Sequence, residues 1–236
     1  MCKDFKKTGA IWDRRKRDID RIVGEVCGAL RERYGQPRLG NPDNPLDDLV
    51  YIILSNKTCP GTAQSVYRHL KDTFVDWGSI ASQSADALYD ALKPAGLAAV
   101  KSEQIRGTLL RVREDRGTYD LDHLRGKRDE EAEAYLTSLP GVSEKVAKCV
   151  QMYTLGAQVL PVDAHVHRLA TRLGWTARKR ADQSHAELEA LVPPDCRYAF
   201  HVDCILHGRE VCRPRVPKCN ECCISTQCDH PHGEGK

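Results

Sequence analysis

The sequence is poor in aromatic residues, has no long apolar run and carries little net charge. Phe, Trp and Tyr make up 6% of the 236 residues, and β-branched runs are few, which favours helices over a large sheet. No apolar stretch approaches the roughly 18 residues of a transmembrane helix. The N-terminal region also lacks the apolar core of a secretory signal. We therefore expect an intracellular protein without a membrane partner.

The net charge of +3 does not by itself indicate a nucleic-acid partner, but the basic residues are unevenly distributed. A single basic run usually forms a solvated surface. Several runs near candidate functional residues instead indicate a surface for phosphate groups. These runs are Arg14–Arg17, Arg172 with Arg178–Arg180, and Arg209 with Arg213, Arg215 and Lys218.

Apolar residues recur at spacings of three and four along most of the chain, which predicts a series of amphipathic helices. Glycine and proline separate the segments, with Gly35 after the first helix and Pro60 at the start of the third. No segment has a convincing strand pattern, and the predicted fold class is all-α. The predicted helices are 9–34, 46–55, 60–74, 84–93, 101–115, 128–138, 144–155, 164–173, 184–192 and 197–207.

Four of the eleven cysteines lie close together near the C-terminus. Cys212, Cys219, Cys222 and Cys228 have the spacing C-x6-C-x2-C-x5-C, which suits one tetrahedral zinc ion or one four-iron cluster. The uneven, compact spacing favours the cluster, because each thiolate then binds a separate corner. Cys223 is an alternative to Cys222, and we assign Cys222. Without an export signal, metal ligation is a better explanation of these thiols than disulfides.

The segment Leu139–Ser143 separates two helical patterns and predicts a helix–hairpin–helix motif. Gly141 permits a tight turn, and the free amides of the following helix form a phosphate site. Lys145 falls in the first turn of that helix. A cation there opposes the helix dipole and favours the neutral, nucleophilic amine. A simple phosphate contact by a surface lysine is the alternative explanation.

Asp163 lies 18 residues after Lys145, at the start of another predicted helix. An aspartate in this position is an ordinary N-cap. The same amide donors would keep its carboxylate ionised and fix its direction, so a cap is compatible with catalysis. A lysine amine and a carboxylate at two helix N-termini together suffice for covalent chemistry on a deoxyribose.

Several motifs, in this order along the chain, resemble the endonuclease III branch of the helix–hairpin–helix DNA glycosylase superfamily. They are the hairpin with Lys145, Val162–Arg168, Leu206–Arg209 and the four-cysteine loop. Gly96 and Leu97 with Lys101 are similar to the family's intercalating loop, and Ile52–Ser55 resembles its preceding helix. The resemblance covers most of the chain.

The resemblance implies two α-helical domains with duplex DNA in the cleft between them. A six-helix barrel with the helix–hairpin–helix motif would span 42–157. Residues 1–41 and 158–236 would form the second domain and hold a [4Fe-4S] cluster. The protein would be a cytoplasmic monomer, associated with the nucleoid in a bacterium, that binds DNA with damaged bases or abasic sites.

The implied activity is that of a DNA glycosylase and abasic-site lyase in base excision repair, acting on oxidised pyrimidines. Lys145 would attack C1′ of a flipped nucleotide, Asp163 would stabilise the developing charge, and β-elimination would cut the strand. Leu97 would fill the space left in the duplex. Besides Leu97, the implied DNA contacts are Lys57, Lys101, Gly141, Ser143, His165, Arg168, Arg215 and Lys218.

Three features depart from the family pattern. Ser143 replaces a glycine of the hairpin and is expected to cap the helix, while Asn56 and Lys57 replace an Ala-Gln pair. Residues 120–133 are longer and more charged than is typical. A glycosylase without lyase activity, acting on mismatched or alkylated bases, stays an alternative, as does a non-catalytic iron–sulfur DNA-binding protein.

Overall fold

The computed structural model describes residues 5–230, except the side chains of residues 5–17 and of Ala85, so the basic run Arg14–Arg17 lies outside the described side chains. This part of the chain contains eleven α-helices and no strand, which confirms the all-α prediction. None of its helices is long and apolar enough to cross a membrane. The helices are α1 (Phe5–Tyr34), α2 (Pro45–Ser55), α3 (Pro60–Thr73), α4 (Trp77–Ala81), α5 (Ala85–Leu92), α6 (Ala98–Arg116), α7 (Asp129–Ser138), α8 (Glu144–Thr154), α9 (Ala164–Arg172), α10 (His185–Leu191) and α11 (Arg197–Glu210).

Ten of these helices were predicted from periodicity, and the short α4 was not. Its five residues are too few for a helical period, and a capping box between Asp76 and Ser79 starts it. The predicted loop after α5 contains a single-turn 3-10 helix, Lys93–Ala95. Helix α6 starts at Ala98, three residues earlier than predicted.

The chain divides into two compact units, which we name by their candidate residues. The lysine unit is Gly40–Pro161, with α2 to α8. The cysteine unit is Met1–Leu39 with Val162–Lys236, of which residues 5–39 and 162–230 are described, with α1 and α9 to α11. The division into a catalytic barrel and a cluster domain stays a prediction about function.

Helix α2 lies at the centre of the lysine unit. Nine of its eleven residues are buried, and it packs against α3, α6 and α8. Asn44 caps its N-terminus by accepting from the amides of Leu46 and Asp47, and Pro45 occupies its first turn. A helix that is apolar on nearly every side is stable only when surrounded. The core around it includes Leu49, Ile53, Leu70, Leu88, Ile105, Leu109 and Val150.

The cysteine unit has a helical core and a long irregular segment. Helix α11 packs against α1 and α9, and Trp175 stacks on Phe200 with ring centroids 5.6 Å apart. After α11, residues 211–230 form no α-helix. Val211 and Ile224 are the buried hydrophobic residues of that segment. Its conformation therefore depends mainly on polar contacts.

Candidate active site

The hairpin between α7 and α8 turns at Gly141 and packs against α6. Gly141 has φ +77°, a left-handed conformation that glycine adopts without steric cost. A Cβ at this position would lie 2.4 Å from Cγ of Gln104. Thr108 Oγ1 donates to the carbonyl of Pro140 at 2.9 Å and holds the turn against α6. The tight hairpin predicted from the sequence is present.

Ser143 caps helix α8, as its departure from the glycine pattern suggested. Its backbone is extended, and its Oγ accepts from the amide of Val146 at 3.4 Å. Glu144 lies in the first turn, where a carboxylate complements the helix dipole. The remaining amides of the first turn have no acceptor within the helix, so this N-terminus suits an anionic group.

Lys145 projects from this N-terminus and is half-buried. Its Nζ donates to Oδ1 of Asn56 at 3.2 Å. Asn56 is the C-cap residue of α2, so the packing of α2 on α8 brings the two side chains together. Asn56 departs from the family pattern, and its contact with the lysine was not predicted from the sequence.

A buried carboxyl group lies on the same central helix. The Asp48 side chain is fully buried; its Oδ1 accepts from Asn41 Nδ2 at 2.6 Å, and its Oδ2 has no partner. Burial raises the pKa of Asp48 to about 8, although Asn41 and the charge of Lys145 lower it. Sequence reasoning missed this residue, because periodicity cannot identify a buried polar residue on a helix surrounded by core.

Two exposed residues of the lysine unit adopt the left-handed conformation without being glycine. Leu97 has φ +52° and its side chain is 54% exposed. Lys57 has φ +54° and is also exposed. Such conformations are uncommon for residues with a Cβ and often occur at functional sites. Both residues were predicted to contact DNA, and both lie where a ligand could reach them.

Lys101 lies in the interior instead of on the predicted DNA-contacting surface. It is 2% exposed, and its Nζ donates to the carbonyls of Leu54 and Ala95 and to Oγ1 of Thr58. Three contacts use all three ammonium protons. The prediction that Lys101 contacts DNA is therefore corrected: in this structure Lys101 joins internal segments, and none of its N–H groups remains for DNA.

Asp163 is the N-cap of α9, and this part of its prediction is confirmed. Its Oδ1 accepts from the amides of His165 and Val166, each at 2.8 Å. The side chain is half-buried. Two amide donors and the positive end of the helix dipole favour the ionised carboxylate and fix its direction.

Arg168, predicted to contact DNA, is occupied by contacts inside the cysteine unit. Its guanidinium donates to the carbonyls of Gly208 and Cys212, each at 2.9 Å, and contacts His165 Nδ1 at 3.1 Å. Burial lowers the pKa of His165. A Cβ at Gly208 would lie 2.4 Å from that imidazole, so the glycine permits the close packing. Arg168 thus positions α11 and the start of the cysteine segment, which corrects its predicted role.

The four predicted ligand cysteines lie near one another and are half-buried. Burial raises the pKa of Cys222 to about 11, with smaller contributions from the charges of Cys223, Cys212 and Cys228. Burial likewise raises the pKa of Cys228, with contributions from Cys212 and Cys219. Burial also raises the pKa of Cys223, and Arg33 lowers it. The assignment of Cys222 over Cys223 as the fourth ligand stays a prediction.

Arg172 and His207, for which no such role was predicted from the sequence, contact these thiols. Arg172 Nη1 donates to Cys212 Sγ at 2.9 Å, and the carbonyl of the same arginine accepts from Cys228 Sγ at 3.3 Å. His207 Nε2 lies 3.3 Å from Cys222 Sγ, and its Nδ1 lies 3.0 Å from the Tyr34 hydroxyl. Arg172 follows Arg168 by four residues on α9, a spacing that indicates a shared helix face.

The segment between the first two ligand cysteines is exposed and basic. Arg213 and Arg215 are exposed, and Val216 is 76% exposed. Lys218 is half-buried and pairs with Glu221 at 3.1 Å. The predicted phosphate contacts of Arg215 and Lys218 are therefore sterically accessible, although Lys218 must give up a surface ion pair.

The sequence profile of the HhH-GPD superfamily base excision DNA repair proteins matches residues 50–194. This match covers more than half of the chain and includes the hairpin, Lys145 and Asp163. The chain belongs to this superfamily. The predicted resemblance to its endonuclease III branch is confirmed by an endonuclease III relative and by a solved endonuclease III structure.

Endonuclease III of Thermotoga maritima is 27% identical over 215 residues, which cover 91% of this chain and 96% of that protein. An Arabidopsis thaliana protein named as a DNA glycosylase is 33% identical over 182 residues, 75% of this chain and 61% of that protein. The DNA glycosylase/AP lyase ROS1 of the same plant is 32% identical over 181 residues, 69% of this chain. The chain spans 13% of ROS1 and less than two thirds of the other plant protein.

The fold is that of solved endonuclease III structures. The structure of a non-covalent endonuclease III–DNA complex matches with a TM-score of 0.77, over 89% of this chain and 94% of that chain, at 20% identity. A thermostable thymine-DNA glycosylase matches with a TM-score of 0.72 at 20% identity. At 20% identity this similarity shows a shared fold only. Because the two proteins have different names, the fold alone does not identify a substrate.

Proposed function

We propose that this protein is a DNA glycosylase and abasic-site lyase that acts on damaged bases in duplex DNA, with oxidised pyrimidines as the expected class. The observation that carries the proposal is Lys145, which lies half-buried in the first turn of the helix after the hairpin and is held by Asn56. A lysine amine at a phosphate-binding helix N-terminus can reach a sugar held there by its backbone.

The proposed reaction begins with the target nucleotide flipped out of the duplex, because its sugar carbon cannot be reached in the stack. The Lys145 nitrogen attacks C1′, the bond from C1′ to the base breaks, and the base leaves with a proton. Ring opening gives an imine between Nζ and C1′. Loss of a C2′ proton then breaks the bond from C3′ to oxygen, and water hydrolyses the imine to regenerate the lysine.

Asp163 is the proposed charge partner in this reaction. Its carboxylate would accept the lysine proton and stabilise positive charge developing on the sugar. The two amides of α9 that donate to its Oδ1 fix the direction of the carboxylate. Pairing with Lys145 is inferred from the family motif order, since the two residues belong to different units.

The four cysteines are proposed to hold a [4Fe-4S] cluster, which would stabilise the cysteine unit. Within residues 5–230, no three His, Cys, Asp or Glu side chains are arranged to hold one metal ion. A four-iron cluster binds its thiolates at separate irons, so its ligands need not converge on a point. The cation of Arg172 at Cys212 and the imidazole of His207 at Cys222 suit thiolates, which accept hydrogen bonds.

The decisive experiment is borohydride trapping on duplex DNA that contains an abasic site. Reduction of the imine links the protein covalently to the DNA. Lys145→Ala should abolish the linked product, because no amine then reaches C1′. Lys127→Ala, which removes an exposed lysine of the same unit outside the candidate site, should still give it. Equal trapping by Lys145→Ala would contradict the proposal.

The same preparations separate the two alternatives. A glycosylase without lyase activity would release bases from a lesion panel but leave the abasic strand uncut and untrapped. A non-catalytic binding protein would do neither, while binding duplex DNA. A thymine-DNA glycosylase shares this fold, which is the observation that favours testing the first alternative. The lesion panel therefore includes a duplex with a thymine mismatch.

A further inference from the structure

Two segments of the lysine unit, each with an exposed residue in the left-handed conformation, meet at a single buried side chain. One segment is 54–58, which spans the C-terminal end of α2 and contains Lys57. The other is 93–97, which leads into α6 and contains Leu97. In each segment a non-glycine residue is held in the left-handed conformation. Such residues persist only where the surrounding structure enforces the conformation.

The Lys101 ammonium supplies contacts to both segments. It donates to the Leu54 carbonyl at 2.8 Å and to Thr58 Oγ1 at 2.5 Å in the first, and to the Ala95 carbonyl at 2.9 Å in the second. Thr58 Oγ1 donates in turn to the Ala95 carbonyl at 2.6 Å. One buried cation and one hydroxyl thus connect two segments that are 37 residues apart in sequence.

The environment of this cation is unusual because none of its hydrogen-bond acceptors is a carboxylate. The Leu54 carbonyl belongs to the last turn of α2, and the Ala95 carbonyl ends the 3-10 helix Lys93–Ala95. Carbonyls at helix C-termini carry partial negative charge and lack helical amide partners. They satisfy the ammonium without an anion, although burial still lowers the Lys101 pKa.

We propose that Lys101 is a positioning residue that fixes Leu97 and Lys57 relative to each other for recognition of an interrupted duplex. This inference rests on the proposed function, in which Leu97 fills the space left by the flipped nucleotide. A side chain that enters a gap in stacked bases must be held by a rigid segment. Asn56, in segment 54–58, accepts from Lys145 Nζ, so this segment also contacts the candidate nucleophile.

The test compares Lys101→Met with Lys148→Met. Lys148 is also a buried lysine of the lysine unit, but it pairs with Glu133 at 3.2 Å, so its loss should not affect either segment. Hydrogen exchange should accelerate in segments 54–58 and 93–97 of the Lys101→Met protein and should be unchanged in the Lys148→Met protein. The ratio of affinities for a duplex with a tetrahydrofuran abasic analogue and for an intact duplex should fall about tenfold in Lys101→Met only, as expected for loss of one or two charged hydrogen bonds.

A second pair keeps the test valid if Lys101→Met fails to fold. Thr58→Val removes the bridging hydroxyl, whereas Thr58→Ser retains it, so only Thr58→Val should accelerate exchange and lower the ratio. Unchanged exchange in both segments, or an equal fall of the ratio in both lysine variants, would overturn the inference. If the unaltered protein bound both duplexes equally, the proposed function would fail, while the exchange result would still decide the role of Lys101.

Discussion

The lysine unit and the cysteine unit hold their candidate residues by different means. In the lysine unit, Lys145 and Leu97 extend from segments that rest on a continuous hydrophobic core around α2. In the cysteine unit, the thiols lie in residues 211–230, where Val211 and Ile224 are the buried hydrophobic residues. Arg168 and Arg172 hold that segment through its carbonyls and through one thiol.

The two units should therefore respond differently to the loss of a single polar or ligating side chain. Burial of apolar surface stabilises the lysine unit, so the loss of one polar contact should change local geometry. The cysteine segment buries little apolar surface, so its stability should depend on ligation and on charged hydrogen bonds. Four predictions test this contrast, in order of decreasing effect.

The largest expected effect is catalytic. Asp163→Asn retains an oxygen that can accept from the two α9 amides but removes the negative charge. We expect base excision to slow by about 10²–10⁴-fold, because charge on the sugar is no longer compensated. Single-turnover kinetics and thermal unfolding should be measured together. Retained activity, or an activity loss matched by unfolding, would show that the carboxylate serves only as a cap.

The second prediction concerns the stability of the cysteine unit. Cys222→Ser should lower the free energy of unfolding by about 3 kcal/mol or more and reduce the iron content, because ligation of the proposed cluster would take the place of a hydrophobic core in this segment. Cys223→Ser is the matched control and should change neither. Calorimetry and iron analysis of both proteins provide the measurement, and a larger loss in Cys223→Ser would reassign the fourth ligand.

The third prediction concerns the hairpin of the lysine unit. Gly141→Ala should destabilise the protein by about 2–3 kcal/mol, through a strained backbone and a clash with Gln104, and should weaken DNA binding. Gly156→Ala is the control, because Gly156 has a similar φ of +73° with no atom near the added Cβ. Its cost should be about 1 kcal/mol. Equal effects would show that the packing against α6 is unimportant.

The smallest expected effect is on the pH dependence of stability, and it involves one buried carboxyl group in each unit. Burial raises the pKa of Asp48 to about 8 and that of Asp203 to about 6, and each has one oxygen without a partner. A raised pKa in the folded state stabilises most at low pH, and this contribution is lost as pH rises through the folded pKa. Each carboxyl should therefore reduce stability from about pH 4 upward.

Asparagine at either position should remove that loss. Asp48→Asn should flatten the stability profile up to about pH 8, and Asp203→Asn only up to about pH 6 and by less. Urea unfolding at several pH values measures both. Identical profiles for the two variants would mean that burial does not distinguish these carboxyls.

Local patterns predicted much of the fold and part of the site. Helical periodicity identified ten helices because most of them bury one face, and the N-cap at Asp163 follows from side-chain chemistry within three residues. The roles of Lys101 and Arg168 could not be read in this way. Both are long cations that the resemblance assigned to DNA, yet each donates to carbonyls that include ones 40 or more residues away in sequence.

The sequence by itself determined the helical class, the hairpin at Gly141, the position of Lys145 in its helix and the cysteine spacing, because each depends on neighbouring residues. Only the packing of the helices places Asp48 in the core and Lys101 between two segments. The same packing brings Asn56 into contact with Lys145, and Arg172 into contact with Cys212. The physical reason is that burial of a charge depends on packing between elements, which no local pattern specifies.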